Sequence, residues 1–393
     1  YYYLGRVYAG AKQFDKAEQS YLNALKLSPQ SELVLTDLAL NYELQGKSQK
    51  AIDLYERVLT LNPQSVVVRK RLGTIYVGQK RLDDAIAQYR EIEKSDTEDA
   101  RTKIGLIYLE KGDLERAAAE FDLVLAAEPG NHRVRYFLSS VCAERGELER
   151  AVEELGKIPV DSEYFVDASV RRANLMQRDR PDEAIAEMER ALKAKPDSPE
   201  IVSYLSTLYK ERNQVPKAVT LLERLVERIP DSDKYHFMLG AMYDEAKDKT
   251  RVVEQMLKAI ELNPKNAAAL NYLGYTYAES GQQLDLAESL INRALELEPD
   301  DGFFVDSLGW VYYQRGDFKT AIKHLERAVD LAGEDPTVIE HLGDAYQGAG
   351  RVPEALRAFR DAIARSKDTN QTERLKVKIQ TIEAAGPAHR SSL

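Results

Sequence analysis

The side chains able to do acid–base, nucleophilic or metal chemistry are few and far apart. His132, His236, His324, His341 and His389 are scattered singly through 393 residues, and none of them pairs at metal-ligand spacing. His324 and His341 fall in adjacent predicted elements. Two imidazoles are short of the three or four ligands zinc takes, so a packing or solvated role is read for both. The one cysteine, Cys142, excludes an internal disulfide and any Cys-based zinc site, and it reads as a small buried helical side chain. No glycine-rich phosphate loop occurs, and no nucleophile has a recognisable base nearby. The chain therefore reads as non-enzymatic, with no catalytic residue, no metal site, no cofactor and no evident small-molecule substrate.

Charge narrows the partners. The chain has 65 acidic against 55 basic residues and a net charge of −10, which argues against a phosphate backbone and hence against nucleic acid. No apolar run approaches the ~20 residues that span a bilayer. The opening Tyr1-Tyr2-Tyr3-Leu4-Gly5 reads as the inside of a helix without an initiator Met. Residues upstream, with any signal peptide or lipid anchor, are expected, and the compartment and oligomeric state stay open.

What would position a binding surface is a repeat. Residues 269–333 say the same thing twice: Leu273-Gly274 and Tyr277 return as Leu308-Gly309 and Tyr312, Ala287 as Ala321, and Ala294 as Ala328. Each copy reads as two short helices around a glycine turn. Leu270, Leu273 and Tyr277 share one face of the first helix, while Leu290, Ala294 and Leu297 share one face of the second. Gly274 and Ala287 are small because helix axes approach within about 8–10 Å only over short side chains. Ala17 and Pro29 return as Ala51 and Pro63, a spacing of 34 residues, and Ala85, Ala117, Ala151, Ala184, Ala218 and Ala355 continue the series, while Leu239-Gly240, Tyr243, Ala259 and Pro264 mark the unit after Ala218. Length changes fall in turns, at the polar residues 94–97 and at Gln282-Gln283, where they are cheap.

One region is irregular. Gly156 and Pro159 cut the second helix of the fifth unit short, and Val170-Arg171-Arg172-Ala173 stands where a Leu-Gly step is expected. The chain is accordingly divided into an N-terminal stack at 1–156, a seam at 157–165 and a C-terminal stack at 166–366. The seam is either a hinge or a change of superhelical pitch, and the second is preferred. Leu375, Ile379 and Ile382 give one apolar stripe to a capping helix at 367–385, as a stack needs one dry and one wet face at its end. The tail at 386–393 has no stripe and is expected to be disordered.

These markers, from Leu4-Gly5 to Phe359 and Ala362, resemble the tetratricopeptide repeat family. The resemblance implies an all-α solenoid, a right-handed superhelix of about eleven helix hairpins, whose first helices line a concave groove that binds protein or peptide. Asn271-Tyr272-Leu273-Gly274-Tyr275 and Asp306-Ser307-Leu308-Gly309-Trp310 resemble, more narrowly, bacterial envelope proteins of this class. Some of those are outer-membrane lipoproteins that deliver substrates to a periplasmic carboxyl-terminal processing protease, which favours the envelope over the cytoplasm. A third possibility is the regulatory arm of an enzyme whose catalytic domain lies outside this chain. The carboxylate clamp of chaperone co-factors is not matched: Tyr2, Arg6, Asp37, Val67 and Arg71 stand at its points.

Residues of the first helices outside the packing set mark the candidate groove. They are Asn271, Tyr275, Phe303, Asp306, Trp310 and Tyr313, which the helical period carries onto the face opposite the second helix. Aromatic anchors of this kind dominate binding energy at interfaces, with Asp306 and Asn271 as directional polar groups. The competing reading is structural, since most tyrosines recur at one packing position and Trp310 could fill a gap between first helices. Glu211, Asp244, Glu245 and Glu279 form a possible acidic rim that would steer a basic partner; a solvated rim is the plainer reading. Arg133, Arg135, Arg171 and Arg172 cluster around the seam.

Overall fold

The structure is a computed structural model that describes residues 1–93, 97–333 and 335–384. Residues 94–96, within the expected short connection, and the 386–393 tail lie outside the described residues. Among those described, 23 helices and no strand occur. The chain divides into two compact units, Tyr1–Ile201 and Val202–Leu393.

In the first unit the hairpins are α1 (Tyr2–Gly10) with α2 (Phe14–Leu27), α3 (Glu32–Glu43) with α4 (Ser48–Leu61), and α5 (Val66–Gly78) with α6 (Leu82–Ile92). They continue with α7 (Thr97–Glu110) and α8 (Leu114–Ala127), α9 (His132–Glu144) and α10 (Leu148–Gly156), and α11 (Phe165–Gln177) and α12 (Pro181–Ala194). The division falls within α13 (Pro199–Glu211), which is followed by α14 (Val215–Arg228). The second unit then holds α15 (Asp233–Glu245) with α16 (Lys249–Leu262), α17 (Ala267–Glu279) with α18 (Leu284–Leu297), and α19 (Gly302–Gln314) with α20 (Phe318–Ala332). It closes with α21 (Pro336–Gly348) and α22 (Val352–Arg365), and with the single helix α23 (Thr369–Ala384).

Local chemistry sets the helix ends. Asp113, Asn131, Asp248, Asn266, Asp301, Asp317 and Asp335 are N-caps whose side chains accept backbone N–H groups that have no intrahelical partner. The turn inside most hairpins has a residue in the left-handed region. Gly281 supplies it at φ +65°, where no side chain is strained, whereas Lys80 adopts φ 59° at the matching turn.

Most hairpins are closed by one recurring contact. A glycine of the first helix receives a large side chain that stands 16 residues later on the second: Tyr21 at Gly5, Tyr89 at Gly73, Phe121 at Gly105, Met256 at Gly240, Leu325 at Gly309 and Phe359 at Gly343. A Cβ at Gly73 would lie 2.7 Å from the Tyr89 ring, and one at Gly105 2.5 Å from that of Phe121, distances no packed carbon tolerates. The extra turn residue in the ninth hairpin moves the partner of Gly274 to Ile291, one position further on.

Neighbouring hairpins are joined by polar contacts as well as apolar ones. The recurring first-helix tyrosine donates its hydroxyl to a glutamate of the preceding second helix: Tyr42 to Glu18 at 2.8 Å, Tyr76 to Glu56 at 3.1 Å, Tyr243 to Glu223 at 2.6 Å, Tyr312 to Glu288 at 2.5 Å and Tyr346 to Glu326 at 2.7 Å. A cation covers several of these rings, with Arg81 4.3 Å above Tyr76 and Arg351 4.5 Å above Tyr346. Arginines of second helices also reach back to proline carbonyls of the preceding turn, as Arg293 does to Pro264 and Arg327 to Pro299.

The irregular residues 157–165 lie inside the first unit. Helix α10 has 9 residues, yet Leu155, Ile158 and Ala168 form a small buried cluster flanked by Tyr136, Tyr164 and Leu175. The Arg172 guanidinium packs against Gly156 and extends to Glu187 at 2.7 Å. Arg135 pairs with Glu154, while Arg133 lies over Phe137 and Arg171 over Tyr136.

Ala287 and Ala321 are fully buried at hairpin crossings, so overpacking there has a defined cost. We expect Ala287→Leu to lower the unfolding free energy by about 1–3 kcal/mol, read from urea denaturation. Ala268→Leu, on the exposed side of the neighbouring helix, should change it by less than about 0.5 kcal/mol.

Candidate functional site

Helices α17, α19 and α21 pack beside one another in the second unit, and their sides away from the second helices bring most of the sequence-marked residues together. On α19, Asp306, Trp310 and Tyr313 fall at helical spacing on one face, and on α17 so do Asn271 and Tyr275. The Trp310 indole is sandwiched. Tyr313 stacks on it at 4.5 Å with 15° between planes, and His341 of α21 stacks at 4.3 Å with 27°. Tyr275 approaches the same imidazole at 6.3 Å. Phe303 starts this face and is 53% exposed, held at the helix start by Asp301, which accepts the Phe303 and Phe304 N–H groups.

A buried ion pair organises the cluster. His341 Nδ1 donates to both carboxylate oxygens of Asp306, at 3.0 and 2.9 Å, and a carboxylate only accepts, so the proton sits on Nδ1. Asp306 is 6% and His341 8% exposed. Burial works against the imidazolium, but Asp306, with Asp344 and Glu340 behind it, outweighs burial and raises the His341 pKa. Charged, the ring is a cation stacked on tryptophan. Burial also raises the Tyr275 and Tyr313 hydroxyls, which stay protonated. Two polar atoms of the cluster, Trp310 Nε1 and Asn271 Oδ1, are buried without a hydrogen-bond partner among the described residues.

Features of both sequence readings of Trp310 occur side by side. The indole packs against the buried cluster that holds Leu308 and Val311 and stacks on His341 of α21, while the face it belongs to also carries the exposed Phe303. The rim carboxylates are spread differently. Lys249 joins Asp244 at 2.8 Å to Glu279 at 2.7 Å, and Lys210 lies 2.8 Å from Glu245. Asp244 also accepts the Tyr272 hydroxyl, and despite burial these donors hold its pKa low. Glu211 lies at the end of α13.

His341 is the residue of this cluster hardest to see from sequence. It stands just before Leu342-Gly343, the register of Tyr272 and Ser307, and that register is the available signal. The remaining histidines serve locally. His236 bridges Gln255 and the Pro230 carbonyl, and His324 stacks on Tyr312; His389 lies outside the described residues. No three His, Cys, Asp or Glu side chains converge as a metal-holding group among the described residues. Burial pushes the Cys142 thiol up to about 11, leaving little thiolate.

The tetratricopeptide repeat models match residues 1–64, 42–103, 108–162, 175–243, 233–266, 256–288 and 307–370. The chain belongs to the tetratricopeptide repeat (TPR) family. It is 41% identical over 63 residues to a TPR repeat-containing protein of Pseudomonas aeruginosa, covering 16% of this chain and 11% of that one. It is 27% identical over 144 residues to the BBSome complex member BBS4 homolog of Drosophila melanogaster, covering 36% and 30%. The chain thus spans less than a third of either curated relative's length. Among solved structures, yeast Tom70 is similar at a TM-score of 0.48 and 14% identity, over 98% of this chain and 96% of Tom70. No helix among the described residues is long and apolar enough to cross a membrane.

The His341–Asp306 pair makes stability pH-dependent with a fixed sign. The folded pKa of His341 lies above its ordinary 6.5, so the pair's contribution is full below that value and is lost as pH rises through the raised one. We expect the melting temperature to fall on this account as pH rises from about 6. In a thermal melt series, His341→Gln with Asp306→Asn should remove that slope.

Proposed function

We propose that this TPR chain is a non-enzymatic scaffold, or adaptor, that binds a protein or peptide partner along the α17–α19–α21 face. The observation that carries the reading is the aromatic face itself. Tyr275, Phe303, Trp310 and Tyr313 lie on first helices outside the glycine crossings, although Tyr313 also meets Phe318 of its own second helix, and Phe303 is largely exposed. Large aromatic side chains held rigid by stacking lose little entropy on binding, and such residues dominate interface energetics. Asn271 Oδ1 and Trp310 Nε1 lie behind this face, buried without hydrogen-bond partners among the described residues, at a cost of about 1–3 kcal/mol each.

A second, narrower reading rests on the resemblance of residues 271–275 and 306–310 to bacterial envelope proteins of this class. The chain would serve in a bacterial envelope as an adaptor that presents substrates to a carboxyl-terminal processing protease. The 41% identity to a TPR repeat-containing protein of Pseudomonas aeruginosa fits a bacterial setting, and fractionation of the full reading frame would show the compartment.

For the first reading, a pull-down from the native source followed by titration of the recovered partner is decisive. Trp310→Ala with Tyr275→Ala should weaken binding by about 30-fold or more, the loss of a ~2 kcal/mol anchor, with far-UV helicity retained. Loss of helicity on Trp310→Ala, or undiminished binding, would return the cluster to a purely structural role.

A further inference from the structure

Beyond the aromatic face, the last hairpin presents a second surface whose chemistry is unusually specific. Glu340 of α21 is 4% exposed and accepts from three donors on α23: Gln371 at 3.1 Å, Arg374 at 2.8 and 3.2 Å, and Lys378 at 3.0 Å. Asp344, one turn on, takes the same Lys378 ammonium at 2.6 and 2.8 Å. Beside this polar strip lies an apolar one, where Leu375, fully buried, and Ile379 and Ile382 meet Ile339, Ala355, Ala358, Phe359 and Ala362. Lys378 also sits 5.3 Å over the Phe359 ring.

The acidic strip cannot be left bare under an apolar cover. Burial would raise the Glu340 pKa, yet Arg374, Lys378 and Gln371 bring it down to about 2, so the carboxylate is charged and demands a cation from whatever covers it. The helix that supplies the cation is packed along one side only. Of the 16 residues of α23, Gln371 and Leu375 are buried, whereas α19 buries eight of its 13. A cover packed on one side, at the edge of the stack, is one that another helix of the same chemistry can replace.

We infer that the α21–α22 surface is a binding site for a cationic amphipathic helix of a partner protein, and that α23 occupies it in cis. The occupant defines the ligand's pattern: an amide at i, cations at i+3 and i+7, and apolar residues at i+4, i+8 and i+11, as in Gln371, Arg374, Lys378, Leu375, Ile379 and Ile382. A partner helix binds by helix exchange, and its apparent affinity is set by the fraction of time α23 is away. Glu340 and Asp344 select for the cations.

The test uses the full chain and a fluorescein-labelled synthetic peptide of residues 367–384. Arg374→Glu with Lys378→Glu, or Arg374→Gln with Lys378→Gln should the charge reversal fail to fold, loosens α23 and should speed amide exchange in it. Peptide affinity by anisotropy should then rise at least about ten-fold over wild type and fall again between about 50 and 500 mM salt. Adding Glu340→Gln and Asp344→Asn should abolish it. Unchanged protection of α23, no gain in peptide binding once α23 is loose, or binding indifferent to Glu340→Gln would each overturn the proposal. So would dimerisation of the chain through exchanged α23 helices, which would give the site to a second copy.

Discussion

The constraint on which this structure rests is the missing or minimal side chain at the crossing of all but one of the hairpins. Where Gly5, Gly73, Gly105, Gly240, Gly309 and Gly343 stand, the second helix inserts a Tyr, Phe, Met or Leu directly against the first helix backbone. A methyl group there would meet side-chain atoms at distances below 3.0 Å. Dispersion between such closely fitted surfaces is small per atom pair and large in sum. The hairpin is thereby fixed in crossing and register, and the first helix keeps its other side free. Three hairpins that lack the glycine have a small and fully buried residue in the same register, Ala39, Ser139 and Ser206, and the α11–α12 hairpin has Arg172 there.

That free side is open to function, because the packing set makes no demand on it. In hairpins nine to eleven it is filled by rings and one ion pair, Asp306 with His341, and Trp310 stacks between Tyr313 and the His341 ring that Asp306 holds. Charge elsewhere is largely spent on linking hairpins. Lys249 between Asp244 and Glu279, and Arg315 between Asp285 and Glu288, each tie one hairpin to the next. The acidic rim is consequently a set of inter-repeat braces as much as a field, and a partner would meet an aromatic strip rather than a bare anionic one.

The repeat was legible because close packing leaves its mark in residue size. Gly274, Gly309 and Gly343 recur with the Leu before them, and Ala287, Ala321 and Ala355 answer from the second helices, so helix, turn and face follow from spacing. The face carrying Asn271, Tyr275, Phe303, Asp306, Trp310 and Tyr313 was legible for the same reason. What spacing cannot show is which side chain meets which across hairpins. The Asp306–His341 contact joins residues 35 apart, and His341 by itself looks like any lone histidine. The recurring tyrosines read as packing residues, while their hydroxyls also seek glutamates of the previous hairpin. Glu340 carries no mark in the sequence, and only the approach of α23 buries it. Pairings of this kind depend on the small rotation between hairpins, which no one-dimensional pattern records.

The glycine contact is most directly tested by a double-mutant cycle at Gly105 and Phe121, followed by urea unfolding. Gly105→Ala should destabilise the protein when Phe121 is present, because the new methyl lies 2.5 Å from the ring. With Phe121→Leu, which withdraws that ring edge, the same alanine should cost much less, a coupling of about 1 kcal/mol or more. Additivity of the two changes within about 0.3–0.5 kcal/mol would mean that the ring does not rest on the glycine and that these hairpins close in some other way.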